Sequence, residues 1–536
     1  MPQAHWDAPD VLIVGAGPSG AAVAWRLAEA GFRVTCLEQG DWLPPEALPH
    51  GQPDWELHRL TDFNPDPNVR QRQADYPVNA AGSAFQPLMF NAVGGSTIHW
   101  SAHYPRYHPS DFRVRSLDGV ADDWPLEYAE LEPFYDLSDR LTGVAGLTGD
   151  PSQPPRSPRG TPPVPIGRLG ETIARGFDRL GWHWWVSDGA IVSEAYDGRP
   201  GCNLCGPCDL GCPTGARASA DVTFWPKALA AGVELRTGCR VREISLEPSG
   251  QARGVLYYDQ RGAIHEQRAA LVVLACNGIG TPRLLLNSRS AHFPDGLANR
   301  SGLVGKNLMF HPFAAVGGVF PDDLDSWMGP VGSVIFSHEF YETDADRGFV
   351  RGFGLQIVRH SGPLSVALGG FTARRVPWGE QHHRVFDERF GHLINIGVMG
   401  EDLPELHNEV VLDPELADAH GIPAPLVRYR LSDNSLRMLD YGVARAAEAL
   451  EAAGATQVLV QNPLRPSGWH LLGTCRMGDD PRTSVVDRWG RAHDVPNLFI
   501  VDGSIFVTSA AVNPTTTIQA LALRTADHIA TTRGHA

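Results

Sequence analysis

The spacing of hydrophobic residues near the N-terminus predicts a strand, a glycine turn, a helix and a second strand. Residues 11–14 form a continuous apolar run, and an apolar helical stretch over 21–28 ends at Gly31. A second short run follows at 34–37. Runs of this length are typical of strands that are buried on both faces of a parallel sheet. The segment therefore predicts one βαβ unit, the first part of a doubly wound sheet.

The rest of the chain contains two further groups of strand-like segments. The first group is predicted to supply later strands of the lobe that begins with this βαβ unit, and it lies at residues 233–235, 241–246, 254–258, 270–275 and 498–503. Those at 314–320, 349–358 and 393–399 are spaced like an antiparallel sheet rather than like βαβ units. A Pro-rich stretch over 151–165 predicts a linker, and 515–530 predicts a C-terminal helix. These patterns indicate an α/β protein with a second, antiparallel lobe.

Chain length and composition indicate a soluble globular protein with at least two lobes. A chain of 536 residues is too long for one ordinary hydrophobic core. Hydrophobic residues make up 43% of the chain and charged residues 20%, and no run approaches the ~18 uninterrupted apolar residues that a membrane-spanning helix requires. We therefore expect two lobes that interleave along the sequence and no integral membrane segment.

The net charge and the position of the first apolar run restrict the partners and the location. The formal net charge of -16 excludes DNA and RNA as ligands, because nucleic-acid binding depends on Lys and Arg side chains that neutralise phosphates. The run that begins at Val11 leaves no room for a secretory signal of roughly 15–30 residues. The sequence thus predicts a cytoplasmic location. Export of the protein while it is bound to a partner that carries its own signal is the alternative.

A G-x-G-x-x-G motif comes directly after the first predicted strand and opens the first helix. Gly15 permits a tight turn, Gly17 lets the backbone approach a pyrophosphate, and Gly20 lets the helix lie close to the strand. Ser19 is at the helix N-terminus, where a phosphate charge is favoured. Glu38 ends the second strand and is predicted to accept hydrogen bonds from the adenosine ribose. The motif predicts a dinucleotide site without choosing between FAD and NAD.

Several further blocks of sequence resemble the glucose-methanol-choline (GMC) oxidoreductase family, in the order and at the spacing of that family. The blocks lie at residues 94–100 (GGSTIHW), 123–135 (with DWP and PFY), 277–285 (NGIGTPRLL), 470–478 and 513–521. The resemblance covers most of the chain. It implies FAD held noncovalently or through a histidine, a flavin lobe built from discontinuous segments, and a substrate lobe with a six-stranded antiparallel sheet.

Together, the strand pattern and the resemblance predict how the chain divides. Residues 1–110, 215–305 and 465–536 are assigned to a Rossmann-like FAD-binding lobe, and residues 111–214 and 306–464 to an α+β substrate lobe. The polar, Pro-rich stretch from about residue 44 to residue 91 predicts a long excursion over the surface or across the flavin.

The two C-terminal blocks contain His470 and Asn513, which match the catalytic pair of the family. An alcohol proton is too weakly acidic to leave unaided, and an imidazole that titrates near neutrality can accept it as hydride moves to flavin N5. The resemblance implies that His470 is the base and that Asn513 holds the substrate oxygen. Many members have a second histidine in place of this asparagine, and asparagine is a regular alternative.

The resemblance also implies flavin contacts outside the first motif. These residues are Gly94, Gly95, Ser96, His99, Trp100, Val241, Asp502, Gly503 and Thr515. Thr515 belongs to a turn that is expected to set a helix N-terminus near the flavin pyrimidine ring, where the helix dipole favours negative charge. Two roles stay open for His99, since some relatives attach the flavin covalently to a histidine in this block and others use it for packing.

Four cysteines, Cys202, Cys205, Cys208 and Cys212, have the C-x2-C-x2-C-x3-C-P spacing of a bacterial ferredoxin segment. This spacing predicts ligands for a [3Fe-4S] or [4Fe-4S] iron-sulfur cluster in a loop over residues 202–213. A structural zinc site, a disulfide and a loop without metal are the alternatives. The loop resembles that of family members that carry a cluster, which implies electron transfer to a small or cytochrome electron-accepting subunit.

These observations favour an FAD-dependent dehydrogenase that oxidises a hydroxyl of a sugar or another alcohol. An oxidase that passes electrons to oxygen is the first alternative, and it would need no metal. A lyase that retains FAD only for structure is the second. An electron-transfer module without catalysis is disfavoured by the presence of His470 together with Asn513.

Overall fold

The computed structural model describes residues 8–359, 362–372 and 374–532. Residues 1–7 and 533–536, which the sequence assigns to the FAD-binding lobe, lie outside the described residues. The helices of the described ranges are α1 Pro18–Glu29, α2 Trp55–His58, α3 Pro67–Arg70, α4 Val114–Asp118, α5 Tyr128–Thr142, α6 Gly167–Leu180, α7 Phe224–Ala230, α8 Asn277–Asn287, α9 Pro363–Ala367, α10 His382–Asp387, α11 Asp433–Ala453 and α12 Thr515–Thr532. None of these helices is both long and apolar enough to cross a membrane.

The strands of the described ranges all precede α12. They are β1 Val11–Val14, β2 Val34–Leu37, β3 Trp185–Val186, β4 Glu234–Arg236, β5 Arg240–Leu246, β6 Ala252–Tyr258, β7 Ile264–Arg268, β8 Leu271–Leu274, β9 Phe313–Val319, β10 Ile335–Ser337, β11 Phe353–Val358, β12 Leu393–Gly400, β13 Glu409–Ala417, β14 Pro423–Arg428, β15 Gln457–Gln461 and β16 Leu498–Ile500.

A five-stranded parallel sheet has the strand order β16-β8-β1-β2-β4. β1, α1 and β2 form the predicted βαβ unit, and β1 pairs in parallel with both β2 and β8. Leu12 and Val14 pack into one hydrophobic core, and Val11 and Ile13 pack into another. Because neighbouring side chains of a strand point to opposite faces, β1 is buried on both sides, which explains its continuous apolar run.

Two of the later strands predicted for this lobe pair outside the parallel sheet. β5 and β6 form a three-stranded antiparallel sheet with β7. The connection between β5 and β6 is only the short segment 247–251. Strands joined so closely pair antiparallel, since a parallel pair needs a crossover of a dozen or more residues.

A six-stranded sheet has the order β15-β9-β12-β11-β10-β3, and every neighbouring pair is antiparallel. The expected antiparallel sheet of six strands is therefore confirmed. Helix α11 packs on β9 and β12 and also contacts α6. Alternate side chains of the sheet, including Phe313, Gln356, Val358 and Met399, line a cavity instead. The sheet thus forms one wall of that cavity.

Helix α5 packs against α12 and joins a core of the parallel sheet. Tyr128, Leu131 and Tyr135 of this helix belong to the same hydrophobic cluster as Leu12 of β1. The sequence places the helix within the range 111–214 of the predicted substrate lobe. In this segment the hydrophobic core does not follow the predicted boundary, and the division into lobes stays a prediction.

Candidate active site

A cavity of about 430 Å³ lies between the two large sheets. Val14, Leu37 and Ala275 line it at or just beyond the carboxyl ends of parallel strands. Gln356 and Met399 line it from the antiparallel sheet. Ligands of open α/β sheets bind beyond the carboxyl ends of the strands. The cavity therefore has the position expected for a nucleotide cofactor that faces a substrate lobe.

The glycine motif forms one end of this cavity. Gly15 has a φ of +101°, and a Cβ atom there would lie 2.5 Å from the carbonyl oxygen of Ala275, so only glycine fits this turn. Gly17 lines the cavity with no atom within 4 Å of the position that a Cβ would take. Ser19, in the first turn of α1, also lines the cavity. The helix N-terminus thus faces open space, as a bound pyrophosphate requires.

Glu38 lies at the end of β2, and its side chain lines the same end of the cavity. Its carboxylate accepts the main-chain N–H groups of Ala16 at 2.7 Å and Gly40 at 2.9 Å. Burial raises the pKa of Glu38 to about 7, and these two hydrogen bonds oppose the increase. The chain therefore fixes the carboxylate beside the glycine turn, where the ribose of a dinucleotide is expected.

The block 94–100 lies against the glycine turn. A Cβ atom on Gly95 would be 2.9 Å from the Cα atom of Gly17, and the N–H of Gly94 donates to the carbonyl of Ala16 at 2.9 Å. Ser96 and Trp100 line the cavity farther along the block. Two segments about 80 residues apart in sequence therefore build one wall of the cavity, where a pyrophosphate is expected.

His99 lines the cavity between two aromatic rings. The centroids of Phe63 and Phe90 each lie 4.4 Å from the centroid of its ring. Its Nδ1 atom lies 2.9 Å from the carbonyl oxygen of Asp209, and since a carbonyl can only accept, Nδ1 carries the hydrogen. Nε2 is buried and has no hydrogen-bond partner among the described residues. Both roles predicted for His99 stay open.

His470 and Asn513 line the cavity together, although they come from segments 43 residues apart. The Nδ1 atom of His470 lies 2.9 Å from the Nδ1 atom of His311. The pKa of His470 is well below its usual value, because burial and the neighbouring rings of His311 and His103 all disfavour the charged form. The ring is therefore neutral near pH 7, as a general base must be.

Asn513 is held by a residue that the sequence did not single out. The Nε2 amide of Gln356 donates to the Oδ1 atom of Asn513 at 3.0 Å. With its carbonyl oxygen engaged, Asn513 can donate its Nδ2 hydrogens to an oxygen atom in the cavity. Gln356 is the polar residue within the otherwise apolar strand β11, a signal that could have marked it. His311 has no comparable signal in the sequence.

The remaining residues assigned to the flavin, Val241, Asp502, Gly503 and Thr515, also line the cavity. The Asp502 carboxylate accepts the N–H groups of Asn277 at 3.0 Å and Ser504 at 2.9 Å, and the hydroxyl of Thr281. Asp502 therefore holds the start of α8 in place as well as facing the cavity.

The four cysteines of the loop line a separate small cavity together with His50 and Arg217. All four are free thiols, so the disulfide alternative is not supported. Burial raises the pKa of Cys205 to about 11 and of Cys208 to about 12. Across the described ranges, no three His, Cys, Asp or Glu residues are grouped so that they could hold a metal ion. The predicted metal site at Cys202, Cys205, Cys208 and Cys212 is therefore not supported by the arrangement of the described residues.

Arg217 ties this loop to the block 94–100. Its guanidinium donates to the carbonyl oxygens of Thr97 at 2.9 Å, Ile98 at 2.9 Å and Trp100 at 2.8 Å. The main-chain N–H of Arg217 donates to the Sγ atom of Cys212, with 3.4 Å between nitrogen and sulfur. The cysteine loop and the wall of the large cavity are thus in direct contact.

Two protein-family models described as GMC oxidoreductase match the chain, at residues 173–313 and 404–522. Residues 13–72 match a model described as an NAD(P)-binding Rossmann-like domain. These matches cover the glycine motif, the α8 block and both C-terminal blocks up to residue 522.

Individual proteins are similar over nearly the whole chain. 2-Methyl-1,2-propanediol dehydrogenase of Mycolicibacterium austroafricanum is 45% identical, with 98% of this chain and 95% of that protein covered. The fructose dehydrogenase large subunit of Gluconobacter japonicus is 32% identical, with 97% of each covered. Among solved structures, a formate oxidase variant of Aspergillus oryzae RIB40 has a TM-score of 0.68 at 17% identity, with 98% of this chain and 99% of that chain covered. That last likeness concerns the fold alone.

Proposed function

Since the chain belongs to the GMC oxidoreductase family and is an FAD-dependent oxidoreductase that acts on CH–OH groups, we propose that it is a dehydrogenase of small aliphatic alcohols with His470 as its base. The observation that carries the proposal is the convergence of His470 and Asn513 in the cavity that begins at the glycine turn. When bound, FAD accepts the hydride that leaves the carbinol carbon.

The residues of the cavity fit FAD. Three features suit a dinucleotide: open space in front of Gly17, a fixed carboxylate at Glu38, and a close contact between Gly95 and the glycine turn. In the proposal, the other flavin contacts are Gly15, Ser19, Gly20, Gly94, Ser96, His99, Trp100, Val241, Asp502, Gly503 and Thr515, most of which line the cavity. The excursion over residues 44–91 crosses this region, because Tyr76, Phe90 and Asn91 line the cavity too.

His470 takes the hydroxyl proton of the substrate in this proposal. Its low pKa keeps the ring neutral at physiological pH, and the contact with His311 orients it. Asn513, held by Gln356, donates its Nδ2 hydrogens to the substrate oxygen. A donor fixed before the reaction stabilises the negative charge that develops on that oxygen without reorganising.

A small aliphatic diol is the proposed substrate class. Phe313, Val358, Phe371 and Met399 give the cavity an apolar wall on the side of the antiparallel sheet. Such a wall suits a small branched alcohol better than a sugar, whose hydroxyls need polar partners all round. The 45% identical relative is named as a dehydrogenase of 2-methyl-1,2-propanediol, which agrees with this class.

The test is anaerobic mixing of the holoenzyme with 2-methyl-1,2-propanediol and with a panel of primary alcohols, 1,2-diols and sugars. Flavin bleaching by a diol or alcohol is the expected result, and its loss in His470→Ala with FAD still bound identifies the base. If no compound bleaches the flavin, the proposal fails and the result favours the lyase that retains FAD only for structure. Peroxide formation in air that is as fast as the reduction of an artificial acceptor by the enzyme would favour the oxidase.

The second part of the proposal is an iron-sulfur cluster in the loop 202–213, which would carry single electrons from the flavin to an external acceptor. A cluster spaces its thiolates more widely than one metal ion does, because the cysteines ligate different iron atoms. The support for a cluster is that four free thiols line one cavity beside Arg217. A relative named as a large subunit favours an electron-accepting partner subunit.

Iron and acid-labile sulfide assays with a visible spectrum test the cluster. We expect iron in the purified protein, its loss in Cys208→Ser, and no change in the control Cys36→Ala, whose thiol lies in β2. Absence of iron from anaerobically purified protein would instead leave FAD as its only redox group.

A further inference from the structure

A second, smaller cavity lies beside the large one and shares the side chain of His103 with it. Its volume of about 20 Å³, on the same measure as the large cavity, exceeds the ~10–15 Å³ that one water molecule requires. Ser187 and His338 line it opposite the flavin side, at β3 and just beyond β10. Among the described residues, none of those assigned to FAD, to the cysteine loop or to the substrate lines this smaller cavity, and His103 is the one residue that lines both cavities.

Six buried polar atoms of the residues around this cavity have no hydrogen-bond partner in the part of the chain that the structure describes. They are His103 Nε2, Arg106 Nε and Nη1, Gln153 Oε1, Ser187 Oγ and His338 Nδ1. Leaving one buried polar group unpaired costs about 1–3 kcal/mol. A cavity that is both large enough for water and surrounded by such atoms is expected to hold ordered water.

The fixed charges near the cavity are paired. Arg106 contacts Asp136 and Asp139, and Arg156 lies 2.8 Å from Asp188. The groups that face the cavity with unpaired atoms are two neutral imidazoles, a hydroxyl, an amide and the Arg106 guanidinium. The imidazoles, the hydroxyl and the amide can donate on one side and accept on the other.

Two histidine contacts lead from this cavity to the surface. The centroid of the His338 ring lies 6.2 Å from that of His183. The Nε2 atom of His183 is 2.9 Å from Asp150 Oδ1, and the His183 side chain is 20% exposed. The Asp150 carboxyl has a pKa below its usual range because of this histidine and Ser152, so it is ionised and attracts a proton toward the protein surface.

On the flavin side, His103 and His470 both line the large cavity, and the His103 ring contributes to lowering the pKa of His470. Each turnover proposed above leaves one proton on His470, within a buried cavity, and the next turnover requires that the ring lose it. His103 lies between this cavity and the second one, with its Nε2 atom unpaired.

We propose that the second cavity is the exit for the substrate proton, which passes from His470 to His103, through ordered water to His338, and to the solvent at the His183–Asp150 pair. This inference rests on the proposed function. The O–H bond of the alcohol breaks and its proton follows this route, while the C–H hydrogen leaves with its electron pair as hydride to FAD, so one proton is released for each flavin reduced.

Proton release can be timed against flavin bleaching. The holoenzyme, in weak buffer with a pH-indicator dye, is mixed without oxygen with the alcohol from the panel that bleaches it fastest. In the wild type, we expect the dye signal in the same phase as bleaching. In His338→Phe, which keeps an aromatic ring beside Phe336 and His108, the first bleaching keeps its rate. The dye signal then lags by on the order of 100-fold, the low end of what a positioned proton-transfer group contributes.

Two further variants make the result specific. Ser187→Val removes one polar partner of the water, and we expect a smaller lag of the same kind. His265→Phe makes the same exchange at an exposed histidine on β7 and should cause none. A dye signal that coincides with bleaching in both His338→Phe and Ser187→Val overturns the route, as does a wild type that bleaches without releasing a proton. If no alcohol bleaches the flavin, the proposed function fails first.

A crystal structure gives a second test that needs no substrate. Water density in contact with His103, Ser187 and His338 supports the route. A dry cavity, or side chains that pair directly with one another, would rule it out even if the enzyme is active.

Discussion

The Nδ1 atom of His470 lies 2.9 Å from the Nδ1 atom of His311. A hydrogen bond between two ring nitrogens needs one that carries a hydrogen and one that has a free lone pair. His470 can accept a proton at Nε2 only when its hydrogen is at Nδ1, so His311 has to accept at its own Nδ1. In the proposed mechanism the contact therefore pairs a donating Nδ1 of His470 with an accepting Nδ1 of His311, which leaves Nε2 of His470 as the basic atom.

Replacing His311 should separate this role from simple packing. His311→Leu removes the acceptor, and we expect the rate of flavin reduction to fall by on the order of 10-fold or more with little change in KM. His311→Asn keeps an oxygen near the position of Nδ1 and should recover most of the rate. Anaerobic stopped-flow measurement of both variants checks this, and an equal loss in both would show that His311 only fills space.

Gln356 should control which end of Asn513 faces the substrate. In Gln356→Glu the new carboxylate can only accept, so the amide of Asn513 turns its Nδ2 toward it and presents a carbonyl oxygen to the substrate oxygen. We expect flavin reduction to slow by about 10²- to 10³-fold, the cost of a lost oxyanion donor.

Gln356→Leu, which lets Asn513 turn freely, should be less impaired than Gln356→Glu, and Gln251→Glu in an exposed turn is the matched control. The opposite order of the two Gln356 variants in stopped-flow rates would mean that Asn513 is not held as described.

The pH dependence of kcat/KM should reflect the low pKa of His470. Burial, His311 and His103 lower this pKa, so the neutral base is fully present at neutral pH and is lost only as pH falls through the lowered value. We expect kcat/KM to stay level through the ordinary histidine range near ~6.5 and to fall in more acid solution. An acid limb above that range in the pH profile would contradict the assignment of the base.

Gly95 should be required for holding the cofactor. At Gly95 φ is +57°, and a Cβ atom there would lie 2.9 Å from the Cα atom of Gly17. Gly95→Ala is therefore expected to destabilise the folded glycine turn by about 1–2 kcal/mol. We expect a lower thermal midpoint and less FAD in the purified protein, measured by the flavin absorbance. Gly82→Ala, at a site where nothing lies within 4 Å of a Cβ, is the control. Full FAD content in Gly95→Ala would contradict the prediction.

The amino-acid sequence determined the elements that depend on neighbouring residues. The apolar run of β1, the G-x-G-x-x-G turn and the helix after it lie within thirty residues and show their structure through spacing alone. The order and spacing of the family blocks extended the prediction to FAD, to the antiparallel sheet, and to His470 and Asn513 as candidate site residues.

The tertiary structure alone decided which residues support that pair. His311 is 159 residues from His470, and Gln356 is 157 residues from Asn513. The packing of α5 on the parallel sheet and the second cavity around His103 and His338 are likewise contacts between distant segments. Periodicity in a sequence records which way a side chain points within its own helix or strand, but not which side chain of another segment meets it, because the folded path of the chain sets that contact.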